Sequence, residues 1–516
     1  MDRERAETFL RLLAESVLRA ASEEAFVSGV PWSADSPNPG FPRLARVAQA
    51  LAAVHALDPA AAQEVLADFA IAVGVRQHSD PGPLLLTRPS FTRGRLYARA
   101  WPGGPGPRAG GVGAGGPGAG AAGSGGAGAA GSGDAGEVGA GGSGEVGAGA
   151  GRIDRFVPLG VSVPFRLEDV TGEVTLLSYA HTSSCARFTV AWRTRSPGGP
   201  GLLGRHFGGP GLPRLFTVSD DRGDAYQLDF GFTDWSGQIR LRPDPPDGLR
   251  WLELAASGRK PVRIPLSEPG PELPDGAGPQ VTPTDLSAGE QMLTVFADRL
   301  LMAAGEHEPD LRRTSYARAP LVAMTSGLGD VVAALEAAEV LPPHSQVPGR
   351  LAALCLSMNI TGHGLTAPPG PEMPERWLSL LTHYQRRKPE VVPVREGYAP
   401  LAVALPEFDG IRLALLGLHN TDGQTLLHAL VSGLPEDDGT GPPIIENLPV
   451  SVWVRDSGGR WHVAGVDMAQ FCDGEHWLRL KLRPGLARST AWIEVLVAGR
   501  SAEVCAVLPL DWGYPP

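Results

Sequence analysis

Lysine is nearly missing from this chain of 516 residues: Lys260, Lys388 and Lys481 are the only three. With abundant alanine, glycine and proline, that skew is the codon bias of a GC-rich genome, so arginine alone marks no chemistry. Cysteine is scarce too. The four (Cys185, Cys355, Cys472, Cys505) are scattered without a C-x-x-C pair. That excludes a dense disulfide framework and the common zinc-ribbon spacings, and it fits reduced thiols in a cytoplasm. No apolar run approaches the roughly 20 residues that span a bilayer. The start, "MDRERAETFLRLLAESVLRAA", lacks the basic, apolar and small-residue order of a secretory signal. A net charge of −11 without basic clusters argues against nucleic acid or an anionic membrane as partner. The G-x-S-x-G elbow, H-E-x-x-H helix, Walker loop and EF-hand loop are all absent.

What is present is a core-building composition, 42% apolar, in a chain long enough for two to four domains. It is also written twice. "RLRPDPPDGLRWLEL" from Arg240 lies over "KLRPGLARSTAWIEV" from Lys481, with Pro243 on Pro484, Trp251 on Trp492 and Glu253 on Glu494. Upstream, "EVTLLSYAHTSS" from Glu173 matches "RLALLGLHNTDG" from Arg412, and "VSDDRG" from Val218 matches "VRDSGG" from Val454. The amino-terminal "AETFLRLLAESVLRAASE" from Ala6 matches "GEQMLTVFADRLLMAAGE" from Gly289, at a larger offset. The difference is absorbed by a glycine-rich tract, Gly103–Gly151. Its 49 residues leave little to bury and behave as a flexible tether with an r.m.s. span of roughly 35–42 Å.

Each half therefore opens with amphipathic helices. Phe9, Leu10, Leu13, Val17 and Leu18 form one stripe, and Met292, Leu293, Phe296, Leu300 and Leu301 form its twin. Further helices are expected near Ala45–Leu57, Ala61–Gly74, Asp330–Leu341, Pro348–Met358 and over "PERWLSLLTHYQRRKP". Short alternating segments follow, eight per half, at the spacing of a β-sandwich. The expected fold is thus α+β: an internal duplication in which a small all-α domain precedes an antiparallel, immunoglobulin-like sandwich. The boundaries are 1–101, helical; 102–152, linker; 153–267, sandwich; 268–284, linker; 285–390, helical; and 391–516, sandwich.

Alternation places Arg240 and Arg242 on the outer face of one strand, and Trp251 and Glu253 on the outer face of the next. Arg479, Lys481, Arg483, Trp492 and Glu494 repeat the pattern. Neighbouring strands then set Arg against Glu and Trp as ion-pair and cation–π ladders. The alternative is a docking surface against helices or a partner, and these nine residues form the candidate interaction face.

Candidate chemistry is thin. His181 and Cys185 in "HTSSC" become Asn420 and Gln424 in the second copy, and read as a turn histidine and a buried thiol. "CDGEH", Cys472 to His476, has irregular ligand spacing and lacks a second pair to complete a zinc site. For an enzyme, His181, His206, Asp220 and Asp221 are the least poor candidates. No metal or cofactor is expected. The expectation is a cytoplasmic, non-enzymatic scaffold that binds another protein, its tethered units gaining from effective concentration. A small-molecule or carbohydrate binder using tryptophan faces is the second reading, and an enzyme of unrecognised type the third.

Overall fold

Structure is described from a computed structural model for residues 3–14, 40–58, 61–62, 64–66, 153–167, 170–182, 185–194, 216–232, 236–246, 248–256, 260–266, 278–306, 319–366, 373–386, 397–421, 424–434, 448–472 and 475–512. The glycine-rich tract and His206 lie outside these residues. The amino-terminal helices are α1 (3–14) and α2 (Gly40–Ala53), with further helical residues at 61–62 and 64–66. Eight strands follow: β1 (Ile153–Leu167), β2 (Val170–Thr182), β3 (Ala186–Thr194), β4 (Phe216–Asp220), β5 (Ala225–Phe232), β6 (Ser236–Arg242), β7 (Trp251–Ala256) and β8 (Val262–Pro265). Strand β9 (Gln280–Pro283) leads into α3 (Ala288–Glu306), α4 (Ala319–Thr325), α5 (Leu328–Ala337), α6 (Val347–Ser357) and α7 (Glu375–Tyr384). The chain ends in β10 (Gly397–Ala404), β11 (Arg412–Thr421), β12 (Gln424–Ser432), β13 (Ser451–Asp456), β14 (Trp461–Cys472), β15 (Glu475–Arg483), β16 (Trp492–Ala498) and β17 (Ala502–Pro509).

The fold is α+β, with two antiparallel, sandwich-like sheets and a helical layer. The first sheet runs β1-β2-β3-β6-β5-β4-β7-β8 and the second β10-β11-β12-β15-β14-β13-β16-β17-β9. Strands β4 to β7 lie in the spatial order β7-β4-β5-β6, a Greek key. Each sheet is one continuous ladder, whereas an immunoglobulin domain has two separately bonded sheets. Curling lets all eight strands of the first sheet feed one core, from Val157 through Phe188, Ile239 and Leu252 to Ile264. The second sheet closes likewise around Leu415, Leu427, Val454, Leu480, Val495 and Val504. Register shifts interrupt β1–β2 between Pro158 and Val161 and β10–β11 between Pro400 and Val403. They recur between Leu176 and Ser178 in β2–β3, and between Leu415 and Gly417 in β11–β12.

Local chemistry explains the helices. In α3, Ser287 and Glu290 form a reciprocal capping box: Glu290 N–H donates to Ser287 Oγ at 3.2 Å, and Ser287 N–H donates to Glu290 Oε2 at 2.9 Å. In α7, Trp377, Leu380, Leu381 and Tyr384 recur at helical spacing and are buried. The amino-terminal helices and those of the middle of the chain share one core, in which Leu10, Leu44 and Leu51 join Leu293, Leu335, Leu351 and Trp377. Among the described residues, no helix is long and apolar enough to cross a membrane. The stretch 268–284, expected as linker, contributes β9 to the edge of the second sheet beside β17.

Candidate interaction surfaces

The two sheets meet face to face. Phe156 of β1 and Ala180 of β2 pack with Ala414 and Leu416 of β11, Leu430 of β12 and Trp477 of β15. Polar groups punctuate this seam. The Arg187 guanidinium lies 4.9 Å from the Trp477 ring centroid, while its Nη1 donates to Gln238 Oε1 at 2.7 Å and its Nε to Cys185 Sγ at 3.0 Å. Thr182 Oγ1 donates to Glu475 Oε2 at 2.9 Å, so a buried bond crosses from the first sheet to the second. Such fully enclosed polar bonds fix the relative register of two faces, because leaving either partner unmade costs its desolvation.

On the same face of the second sheet, Gly417, His428 and Arg479 stand in one cross-strand row, and Tyr398, His419, Leu426 and Lys481 in the next. The His419 and His428 rings lie 6.4 Å apart. Burial, aided by the charge of His419 and Arg479, holds the His428 pKa well below the usual histidine value. Gly417 is dictated by Tyr398, whose hydroxyl oxygen would sit 2.2 Å from a Cβ at that position.

This arrangement redistributes the expected face. Strands β6 and β7 are not neighbours, since the Greek key returns β7 to the side of β4. Arg240 and Arg242 therefore do not face Trp251 and Glu253, and the ladder expected between them is corrected. Arg240 is 9% exposed, stands opposite Arg187 in register, and lies 3.9 Å from Asp244. Arg242 pairs with Asp229 of β5. In the second sheet, Arg479 Nε donates to Asp467 at 2.6 Å, and Arg483 approaches Glu306 of α3 at 3.8 Å. Burial and the neighbouring Arg483 lower the Lys481 pKa. Arg242 stays outward, as do Trp251 and Glu253 on β7 and Trp492 and Glu494 on β16.

The carboxylates with the most contacts are structural. Asp220 Oδ1 accepts the backbone N–H groups of Arg222 and Asp224, each at 2.9 Å, and its Oδ2 accepts the Tyr226 hydroxyl at 2.7 Å. Burial opposes its charge, but these donors outweigh it and keep the pKa below the usual carboxylate range. Asp456 repeats the turn with Gly458, Arg460 and His462. Asp221 pairs with Arg250 at 2.8 Å. Cys185 is a buried thiol outside any disulfide, and its backbone N–H donates to Thr182 Oγ1 at 3.1 Å. Of "CDGEH", Glu475 and His476 are buried, with Glu475 committed to Thr182. Among the described residues, no three His, Cys, Asp or Glu side chains gather to hold a metal ion.

The helical layer is locked to the second sheet by residues that sequence reasoning missed. Asp298, buried in α3, accepts the Trp377 indole N–H at 2.9 Å and the Trp453 indole N–H at 3.0 Å. Burial raises its pKa against the opposing pull of Arg376 and these donors. Gln291 Nε2 bonds the carbonyls of Pro449 and Ala498 at 2.9 and 3.2 Å. Gly465 of β14 admits Met302, which would meet a Cβ there at 2.9 Å. An acidic residue three before Leu301, inside an otherwise apolar stripe, was the available signal. A cleft of about 830 Å³ opens between α1 and the α5–α6 turn. Phe9, Leu12, Leu341, Pro342 and Pro343 line it, with Glu4, Arg5, Glu336 and Glu339 at its rim, and Leu12 is 59% exposed.

No protein-family model, curated protein or solved structure matches this chain.

Proposed function

We propose that the chain is a cytoplasmic, non-enzymatic interaction or scaffold protein, built by duplicating one helix-plus-sandwich unit. The helical cleft carries the reading: it combines an apolar lining with a charged rim, the anatomy of a protein contact. Shared strand order and twin register shifts support the duplication. With the Arg-bearing faces of β3 and β15 turned into the seam, the surfaces left for partners are the cleft and the outer Trp–Glu faces.

The test is affinity capture of the tagged full chain from its host, beside Leu12→Asp and a variant with the glycine tract severely shortened. A stoichiometric protein retained by the wild type and lost with Leu12→Asp supports a partner in the cleft. Identical lanes for both overturn it. Weaker capture by the shortened chain supports bivalent use of the tether, and unchanged capture counts against that use. A small-molecule reading also has an observation behind it, since the cleft volume falls in the range of ligand sites. Thermal stabilisation by one member of a sugar and metabolite panel, erased by Leu12→Asp, would favour it.

A further inference from the structure

The outer faces of the two sheets carry the same cross-strand pattern with one exchange. On the first, Trp251 stands opposite Pro265 and Glu253 opposite Arg263. On the second, Trp492 stands opposite Pro509 and Glu494 opposite Val507. Equivalent backbone bonds close both hairpins, Leu266 N–H to the Arg250 carbonyl and Leu510 N–H to the Ala491 carbonyl, each at 2.8 Å, so Arg263 and Val507 occupy matching positions.

In the first sheet a single guanidinium fills the space over this pattern. The Arg263 guanidinium carbon lies 4.4 Å from the Trp251 ring centroid, and its Nε donates to Glu253 Oε2 at 3.0 Å. The second sheet keeps the tryptophan and the glutamate but has no such cation at the matching position. Trp492 is 38% exposed and Val507 49% exposed. Glu494 is served from its other flank by Arg455 of β13 at 3.7 Å, where the first sheet has Ser219, and it accepts Cys505 Sγ–H at 3.1 Å. A carboxylate has about four acceptor sites, so Glu494 retains capacity for a further donor.

We propose that Trp492 and Glu494 form a docking seat for an arginine side chain of a partner protein, with Val507 and Pro509 as its apolar border. The first sheet shows how the seat is filled: the flat guanidinium stacks on the indole while an edge N–H reaches the carboxylate. Arginine suits this better than lysine, because a planar fork satisfies ring and carboxylate at once. The net charge of −11 adds a long-range bias toward a basic segment. The proposal rests on the reading of the chain as an interaction protein, but it concerns a different surface from the cleft. A failed seat therefore leaves the capture experiment on Leu12 undisturbed.

The test is fluorine NMR of the full chain labelled with fluorotryptophan, with the Trp492 resonance among the eleven tryptophans assigned through Trp492→Phe. The probe is acetyl-Leu-Arg-Leu-amide, compared with its citrulline and lysine analogues. Saturable movement of the Trp492 signal by the arginine peptide is expected, with at least about tenfold weaker binding of the citrulline form. Glu494→Gln should weaken the arginine peptide by a similar factor, and Val507→Arg, which copies Arg263, should abolish the response. Arg263→Val should give the Trp251 signal the same sensitivity. An equal response to citrulline, or indifference to Glu494→Gln, would reduce the site to a plain apolar patch and overturn the proposal. So would no response at all.

Discussion

The outer faces of the two sheets share a frame and differ in how they are finished. The first sheet covers its tryptophan with its own Arg263, whereas the second sets its arginine on the opposite flank of the glutamate, at Arg455, and leaves Trp492 partly exposed. Each glutamate has an arginine beside it, so what the exchange chiefly alters is the exposure of the tryptophan. A single arginine, placed on one flank or the other, decides whether the face is closed or open. The inward faces tell a different story. There the sheets are joined by unlike residues, Arg187 against Trp477 and Thr182 against Glu475.

The strongest way to separate the sheets' roles is to cut the helical anchor of the second. Asp298→Ala strands two buried indole N–H groups and should cost about 3–5 kcal/mol. The expected sign is a lowered Tm in calorimetry, with hydrogen exchange accelerating first in α3, α7 and β13. Uniform acceleration in β1–β8 as well would mean that the helical layer holds both sheets. Next comes the seam. Arg187→Leu removes the stack on Trp477 and leaves Gln238 Oε1 without that donor, for a loss of about 2–3 kcal/mol. Limited proteolysis should then attack both sheets more readily, and an unchanged cleavage pattern would count against a stabilising seam.

Acid sharpens the same contrast. The folded chain resists protonating His428, because of burial and then the nearby His419 and Arg479. The unfolded chain takes up that proton near the ordinary pKa of about 6.5. His428 thus gives its full contribution above that pH and loses it progressively as pH falls below it. His428→Leu should flatten this slope in denaturant titrations on either side of that pH, and an unaltered slope would assign the acid sensitivity elsewhere. The smallest effects belong to the outer faces. Arg263→Val should cost under about 1 kcal/mol, and Val507→Arg should return a similar amount, because both sites are well exposed. Equilibrium unfolding checks the pair, and a larger effect at either site would show an unrecognised contact.

Most elements were legible in the sequence. All sixteen expected strands are present. Alternation and turn residues act locally, which is why they survive translation into structure. Adjacency did not follow, because a Greek key pairs strands by long connections that periodicity does not record, and β7 went to β4. The short helix α4, about two turns long, and the four-residue edge strand β9 were also missed. The seam did leave a trace: "RLALLGLHNT" and "QTLLHALVS" are apolar on both faces, as strands covered on both sides are. The expected facing of Arg240 and Arg242 with Trp251 and Glu253, and of its twin in the second sheet, did not follow, since neither β6 and β7 nor β15 and β16 are neighbours; Arg240 and Arg479 are buried while Trp492 is exposed.

The bond from Thr182 to Glu475 also bears on how this molecule varies. Two sheets on one chain meet at one-to-one stoichiometry whatever the dilution, so their union needs no concentration to sustain it. In a homodimer every substitution would appear twice across the contact, and an arginine facing a tryptophan would have to be matched by its mirror. Here each side changes alone. One sheet is thereby free to close its outer tryptophan while the other keeps its own open.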